Sequence, residues 1–218
     1  MTWIAAALLA AAVAVAARWA MRRVDALGRR RPFPLVTVLI LLGLGVGLLV
    51  PVVRTARLEA RLGDVASSLV GERVVVDCQG LGQEFVDVGA ELGYVRIGPD
   101  GQPERATLIK RPQCGALSSY LHSDRRHPSS EQVVAVHVLS HEAMHMAGYT
   151  DEAEAECRAM QVDARTARLL GAPEDAARAL ARRYWRTVYP RMSDEYRSGQ
   201  CRAGGELDQR QPDAPWSG

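Results

Sequence analysis

The sequence of 218 residues has few aromatic side chains, no internal repeat and little net charge. Only 6% of its residues are aromatic although 48% are hydrophobic, so alanine, valine and leucine supply most of the apolar content. The net charge of +2 divides into +5 for residues 1–53 and −3 for residues 54–218. A slightly acidic domain lacks the basic surface that nucleic-acid binding requires, and we therefore predict no nucleic-acid partner.

Charge is also missing from two long stretches near the N-terminus. Residues 2–17 contain no charged side chain, with apolar character continuing to Met21, and residues 33–53 are uncharged throughout. Each run is long enough to cross the hydrocarbon core of a bilayer as a helix, which argues against a wholly cytosolic soluble protein. No basic residue precedes the first run, whereas a signal peptide has its basic residues there, so we expect a retained helix.

The arginines between the two runs predict their orientation. The connector contains five of them: Arg22, Arg23, Arg29, Arg30 and Arg31. By the positive-inside rule this connector is cytoplasmic, and the rest of the chain is delivered outside. We therefore predict transmembrane helices at 1–21 and 33–53, a cytoplasmic loop at 22–32, and a two-pass protein of the cell membrane whose C-terminal domain is extracytoplasmic. The oligomeric state stays open.

No two cysteines have the Cys-x-x-Cys spacing, which argues against a zinc ribbon. All four cysteines lie in the predicted outer part of the chain: Cys78, Cys114, Cys157 and Cys201. An even number in an oxidising compartment favours two disulfides. The sequence does not separate the three pairings; we choose Cys78–Cys114 with Cys157–Cys201, because each bond would join neighbouring elements.

The pattern after the membrane segments predicts an α+β domain. We expect a helical stalk at 54–71, the domain itself at 72–200, and a disordered tail at 201–218. Within the domain, four short β-branched segments between glycine-rich turns predict a small antiparallel sheet, at 74–76, 85–88, 94–97 and 106–109.

Three helices should follow the sheet. The first, 129–147, opens with a capping box formed by Ser129 and Gln132 and stops at a glycine. The second is expected at 151–171 and the third at 173–188, each ended by a glycine or proline signal.

The first of these helices contains the pentapeptide His141-Glu142-Ala143-Met144-His145. Residues four apart share a helix face, so both imidazoles can reach one metal ion, with Glu142 beside it. Zinc lowers the pKa of a bound water, and Glu142 can then take its proton. A third ligand is required, and Asp151, Glu152 and Glu156 follow closely.

This pattern resembles the zincin metallopeptidases, in which two branches compete. In gluzincins a later helix supplies a glutamate, often within E-x-x-A-D or E-x-x-A-N, and residues 152–156 (EAEAE) match all but the last position. That resemblance implies Glu152 as the third zinc ligand and Glu156 as a group that orients a histidine. Metzincins read H-E-x-x-H-x-x-G-x-x-H or D, which would make Asp151 the ligand, with Met192 in the turn beneath the metal. We favour the gluzincin-like interpretation.

The resemblance implies a zinc-dependent peptidase with a zincin-like fold. The expected reaction is hydrolysis of a peptide or protein substrate, with Glu142 as general base and later proton donor. Such domains commonly align an extended substrate along a sheet edge, for which 106–109 is the candidate strand. The alternative is a non-catalytic extracytoplasmic interaction domain that a metal ion only stabilises.

Several neighbours of the motif have open roles. His137 lies one turn before His141 on the same face, and we expect it to pack or to orient a ligand rather than to bind metal. A tyrosine hydroxyl could stabilise an oxyanion. The sequence does not choose among the candidates, Tyr149, Tyr184, Tyr189 and Tyr196.

Overall fold

A computed structural model describes residues 2–24, 28–80, 82, 91–99 and 101–216 of the chain. They fall into two compact units, residues 1–57 and residues 58–218. Helices and a small sheet together confirm the α+β class. The predicted strand at 85–88 lies outside the described residues.

The first unit contains two apolar helices. Helix α1 spans Thr2–Met21, and the N-terminal part of α2, which spans Leu35–Val70, completes the unit. Both helices are long and apolar enough to cross a membrane. Gly45 lets them approach closely, since a Cβ at this position would lie 2.8 Å from the side chain of Leu9.

The last turns of α2 belong to the second unit. Leu62, Val65 and Ala66 are buried in its core. The Glu59 carboxylate accepts a hydrogen bond from the backbone N–H of Cys78 at 2.9 Å. The segment predicted as a stalk is therefore helical, but residues 58–70 are part of the folded domain because their apolar face packs inside it.

The sheet of the second unit has three strands, β1 (Val75–Cys78), β2 (Gly93–Ile97) and β3 (Pro103–Ile109), in the order β1-β3-β2. Strands β2 and β3 are antiparallel, as predicted. Strand β1 pairs with β3 in parallel, so the sheet is mixed and the prediction of an antiparallel sheet is wrong for this pair. Turn residues in the sequence indicate where a strand ends. Which strand it pairs with, and in which direction, depends on tertiary packing.

Four helices follow the sheet in the described part of the chain, one more than predicted: α3 (Arg111–His122), α4 (Ser130–Met146), α5 (Glu152–Leu169) and α6 (Glu174–Thr187). The unpredicted helix, α3, contains a proline, a glycine and two adjacent serines, which are weak helix formers. Burial of Leu117 and Tyr120 and a disulfide from Cys114 hold it in place. Two short 3-10 helices, Tyr189–Arg191 and Asp194–Tyr196, come after α6.

Helix α4 is central to this unit. It packs against α3, α5, α6, β2 and β3, and its residues are buried on nearly every face. The predicted capping box is confirmed: Ser129 Oγ accepts from the N–H of Gln132 at 3.2 Å, and Gln132 Oε1 accepts from the N–H of Ser129 at 2.8 Å. Gly148 ends the helix with φ of +104°, a conformation that favours glycine.

Both disulfides are present with the pairing chosen from the sequence. Cys78–Cys114 joins β1 to α3, and Cys157–Cys201 joins α5 to the C-terminal segment. Each links elements that are neighbours in space, as the predicted pairing requires.

The C-terminal segment differs from the prediction of a disordered tail at 201–218, because residues 201–216 are ordered. The Asp213 carboxylate accepts hydrogen bonds from Arg168 at 2.6 Å and from Arg178 at 3.0 Å. The Gln161 side chain donates to the backbone carbonyl of Leu207 at 2.9 Å. The polar, glycine-rich composition suggested disorder, whereas the disulfide and these hydrogen bonds fix the segment on α5 and α6.

Candidate metal centre

The hairpin of α4 and α5 brings the acidic start of α5 back along the histidine face of α4. The chain reverses at Gly148, and the side chain of Asp151 then caps α5 by accepting from the N–H of Glu154 at 2.8 Å. Since the two helices are antiparallel, residues soon after the turn meet residues shortly before it. Glu152 consequently lies at the level of His145, and Glu156 at the level of His141.

Three side chains converge on one point. His141 Nε2 and His145 Nε2 lie 2.9 Å apart, and Glu152 Oε2 lies 3.1 Å from the first and 3.3 Å from the second. Two ligand nitrogens of a tetrahedral zinc ion are separated by about 3.3 Å, so these rings need to move by only a few tenths of an ångström to bind one. The group could therefore hold a metal ion.

The far side of each imidazole also fits a metal ligand. His145 Nδ1 lies 2.7 Å from the backbone oxygen of Tyr149, so that its N–H donates there while Nε2 points toward Glu152 and His141. His141 Nδ1 lies 3.0 Å from Glu156 Oε2, although not on the line of a well-aligned hydrogen bond. Both rings thus present Nε2 to the same point, which is the arrangement that metal binding requires.

The ionised carboxylates of Glu152 and Glu156 are stabilised by a positive charge close to them. Hydrogen bonds from His141 and His145 lower the pKa of Glu152 to about 2. Burial opposes protonation of His141, but the hydrogen bond to Glu152 and the negative charge of Glu156 outweigh burial and raise its pKa to about 9. Either protonated imidazoles or a bound cation can supply that charge, and a cation leaves the histidines free to act as neutral ligands.

Glu142 lies beside the group, pressed against the sheet. It is buried, and its Oε2 accepts a hydrogen bond from Thr107 Oγ1 of β3 at 3.0 Å. A Cβ at Gly93 of β2 would lie 2.8 Å from Glu142 Oε1, so the glycine makes room for the carboxylate. Burial raises the pKa of Glu142, against the charges of His141 and His145. A raised pKa makes this carboxylate a stronger base than one exposed to solvent.

A cleft of about 490 Å³ is lined by the two histidines of the group, Glu142 and Glu152. Tyr196 also lines it, with its ring centroid 5.9 Å from that of His141. Strand β2 forms one wall. Apolar side chains from α4, β2 and the segment after α6 form much of the remainder: Val134, Val138, Val95, Ile97, Val188 and Met192.

A second charged cluster is buried next to His141, and its members His137, Glu156 and Tyr184 also line the cleft. The two ring nitrogens of His137 lie 2.9 Å from carboxylate oxygens, Nδ1 from Asp163 Oδ2 and Nε2 from Glu156 Oε2. Tyr184 donates its hydroxyl to Glu156 Oε1 at 2.9 Å and stacks on the His137 ring at 3.6 Å. His137, His141 and Glu156 form a second group that could hold a metal ion.

The electrostatics of this cluster explain how its charges are tolerated. Burial disfavours a charged His137, but the negative charges of Asp163 and Glu156 prevail and raise its pKa to about 10. Burial also opposes the charge of Glu156, yet His137 and His141 lower its pKa well below the usual range. A protonated His137 that donates to both carboxylates therefore balances one of their two negative charges without a metal ion, although Asp163 Oδ1 has no hydrogen-bond partner among the described residues.

One sequence-based expectation needs correction, and one alternative ligand lies apart from the two histidines. Strand 106–109, proposed as the substrate-aligning edge, belongs to β3, which has neighbours on both sides and no edge to offer. Among the described residues β2 pairs only with β3, and β2 is the strand that lines the cleft. Asp151, the alternative third ligand, uses its carboxylate to cap α5 and is not in the group with the two histidines.

The four tyrosines considered for stabilising an oxyanion make different contacts. Tyr184 serves Glu156, and Tyr189 exchanges hydrogen bonds with the backbone of Ser198. The ring of Tyr149 lies under the guanidinium of Arg158. Tyr196 lines the cleft, and burial and the charge of Glu152 raise its pKa to about 12.

Several site residues escaped the sequence analysis. Thr107 and Gly93 contact Glu142 from strands distant in sequence, and nothing in the local sequence signals this. Asp163 could have been found from the sequence, since it follows Glu156 by seven residues and therefore lies on the same face of α5 two turns later.

No family model matches the chain, and neither a curated protein nor a solved structure shows significant similarity to it.

Proposed function

We propose that this chain is a membrane-anchored zinc metallopeptidase. The observation that carries the proposal is the convergence of His141, His145 and Glu152 in the wall of an open cleft, with the buried carboxylate of Glu142 beside them. Catalytic zinc sites use three protein ligands and leave one position open, whereas structural sites are closed by four. An open cleft at a three-residue group favours catalysis over simple stabilisation.

The donor set supports zinc. Two imidazole nitrogens and one carboxylate oxygen suit a borderline metal ion, and each imidazole is oriented through its other nitrogen. Glu152 is the ligand that best fits, and the cap made by Asp151 disfavours the metzincin-like arrangement. The gluzincin-like interpretation also agrees with Glu156 beside His141.

Glu142 performs the proton transfers in this proposal. Zinc in such a site acts as a Lewis acid and makes water a stronger nucleophile at neutral pH. The Glu142 carboxylate takes the proton of the attacking water and returns it to the leaving amine, a role for which its raised pKa and rigid support by Thr107 suit it. The hydroxyl of Tyr196 is available to donate to the developing oxyanion.

The cleft fits an extended peptide. A backbone aligned on β2 would pass the ligand group, because Gly93 lies against Glu142 and the strand continues along the cleft wall. The apolar walls suit a substrate with an apolar side chain beside the scissile bond. The membrane anchor is supported by two apolar helices, and the extracytoplasmic position by the basic connector and the two disulfides.

The experiment compares peptide cleavage by the full-length protein in detergent with that by Glu142→Gln, using a mixed peptide library and mass spectrometry. We expect Glu142→Gln to retain its fold and bound zinc and to lose cleavage. Glu154→Gln is the matched control, because it makes the same chemical change at a residue that pairs with Arg158 outside the cleft. If wild type binds zinc and cleaves nothing that Glu142→Gln does not, the metal-stabilised interaction domain replaces the peptidase.

A further inference from the structure

Four side chains form a continuous hydrogen-bonded chain behind the candidate metal centre, here called the His137 network: His137, Glu156, Asp163 and Tyr184. Its members come from α4, α5 and α6, and each is buried. Every link measures 2.9 Å, from Asp163 to His137, from His137 to Glu156 and from Tyr184 to Glu156. The network therefore ends on Glu156, the carboxylate that lies at Nδ1 of His141, while Glu152 lies at Nε2 of the same ring.

A purely structural role explains this arrangement poorly. Two buried carboxylates and an imidazole replace apolar packing at the centre of the domain, and such ionic groups rarely stabilise more than apolar side chains of the same volume. Nearby, α4 and α5 are joined by a neutral pair, Ser140 Oγ and Thr166 Oγ1 at 2.8 Å, at much lower electrostatic cost. The charged network has one feature that the neutral pair lacks, which is contact with a candidate metal ligand.

We propose that His137 is a positioning residue of the metal centre: anchored by Asp163, it fixes the Glu156 carboxylate, which holds His141 with Nε2 directed at the metal. This inference rests on the proposed metal site. It goes beyond the role that the zincin resemblance implies for Glu156, because it adds the groups that hold Glu156 itself.

The geometry shows how the restraint acts. Glu156 Oε2 is shared between His137 Nε2 at 2.9 Å and His141 Nδ1 at 3.0 Å, while Tyr184 fixes the other oxygen. The carboxylate cannot rotate about its axis without losing one of these contacts. Without His137, the Glu156 carboxylate is free to turn toward Tyr184. His141 then loses its contact with Glu156, the contact that keeps Nδ1 away from the metal position and Nε2 directed at it.

The test measures the zinc dissociation constant of the full-length protein by chelator competition, together with the absorption spectrum of the cobalt-substituted form. Loss of a group that orients a metal ligand typically weakens affinity by about 10- to 100-fold, which is the effect expected for His137→Gln. Tyr184→Phe, a milder change, should weaken affinity by about 2- to 10-fold. Both variants should alter the cobalt spectrum, because His141 changes its orientation.

Ser140→Ala is the matched control, since it removes a buried hydrogen bond between the same two helices without touching the network. It should lower the melting temperature and leave zinc affinity within twofold of wild type. The double variant His137→Gln with Glu156→Gln should bind zinc no more weakly than Glu156→Gln alone, because His137 acts through Glu156.

The outcomes separate this inference from the proposed function. If folded His137→Gln and Tyr184→Phe bind zinc as wild type does, the positioning role is overturned and the peptidase proposal stands. If wild type binds zinc and both variants bind it more weakly while no peptide is cleaved, the positioning role stands and the peptidase proposal falls. A folded wild type that binds no zinc overturns both.

Discussion

Replacing Gly93 with alanine is a sharp test of how Glu142 is held. The new Cβ would lie 2.8 Å from Glu142 Oε1, 3.0 Å from Cδ and 3.1 Å from Cγ, whereas ordinary contact begins at 3.4 Å. The carboxylate must therefore retreat by about 0.6 Å, the difference between 2.8 and 3.4 Å. On its other side the Thr107 hydroxyl holds Oε2 at 3.0 Å, so the shift also strains that hydrogen bond.

A displacement of this size should slow the reaction without removing the metal. Misplacing a reacting group by 1 Å can reduce a rate about 100-fold, so we expect Gly93→Ala to lower kcat by about 10- to 100-fold. Zinc content should stay at the wild-type value, because Glu142 is not one of the converging ligands. The assay is steady-state hydrolysis of a peptide that wild type cleaves, with zinc measured on the same samples.

Gly115→Ala provides the control for this substitution. Gly115 lies in α3, where a Cβ meets open space, and alanine should stabilise the helix by up to about 1 kcal/mol. Its kcat should equal that of wild type. A Gly93→Ala protein with wild-type kcat would refute the reasoning that contact with β2 sets the position of Glu142.

Two further predictions concern stability. Replacing Cys157 and Cys201 by serine opens a loop of 44 residues and should lower the free energy of unfolding by about 4 kcal/mol, measured by urea denaturation; an unchanged midpoint would contradict it. Burial lowers the pKa of His137, but Asp163 and Glu156 outweigh burial and raise it from 6.5 to about 10. The charged His137 therefore stabilises the folded protein fully below pH 6.5, and this contribution disappears as the pH rises through 10. The melting temperatures of metal-free wild type and His137→Gln should therefore converge over that range, and a constant difference would contradict the assigned charge.

The sequence predicted best where the deciding interactions are local. The capping box of Ser129 and Gln132 lies within four residues, and the α4–α5 turn is marked by Gly148. Residues four apart on one helix share a face whatever surrounds them, so the pairs 141 and 145 and 152 and 156 could be grouped in advance. That the two pairs face each other could be predicted because the turn between α4 and α5 is short.

Prediction failed where tertiary contacts decide. The pairing of β1 with β3 depends on packing beyond the strand itself, and α3 forms despite weak propensity because burial and the Cys78–Cys114 disulfide stabilise it. Residues 201–216 resemble a disordered tail in composition and are ordered by long-range contacts. The support of Glu142 by Thr107 and Gly93 comes from two strands, which no local pattern reveals.

The central claim is that His141, His145 and Glu152 bind one zinc ion, and the zinc content of purified full-length protein tests it most directly. We predict one zinc per chain in wild type and in Asp151→Asn, a variant that keeps a side chain able to cap α5. His145→Ala and Glu152→Ala should lose the metal while remaining folded. A folded wild type without zinc, or zinc that is kept in Glu152→Ala and lost in Asp151→Asn, would contradict the account.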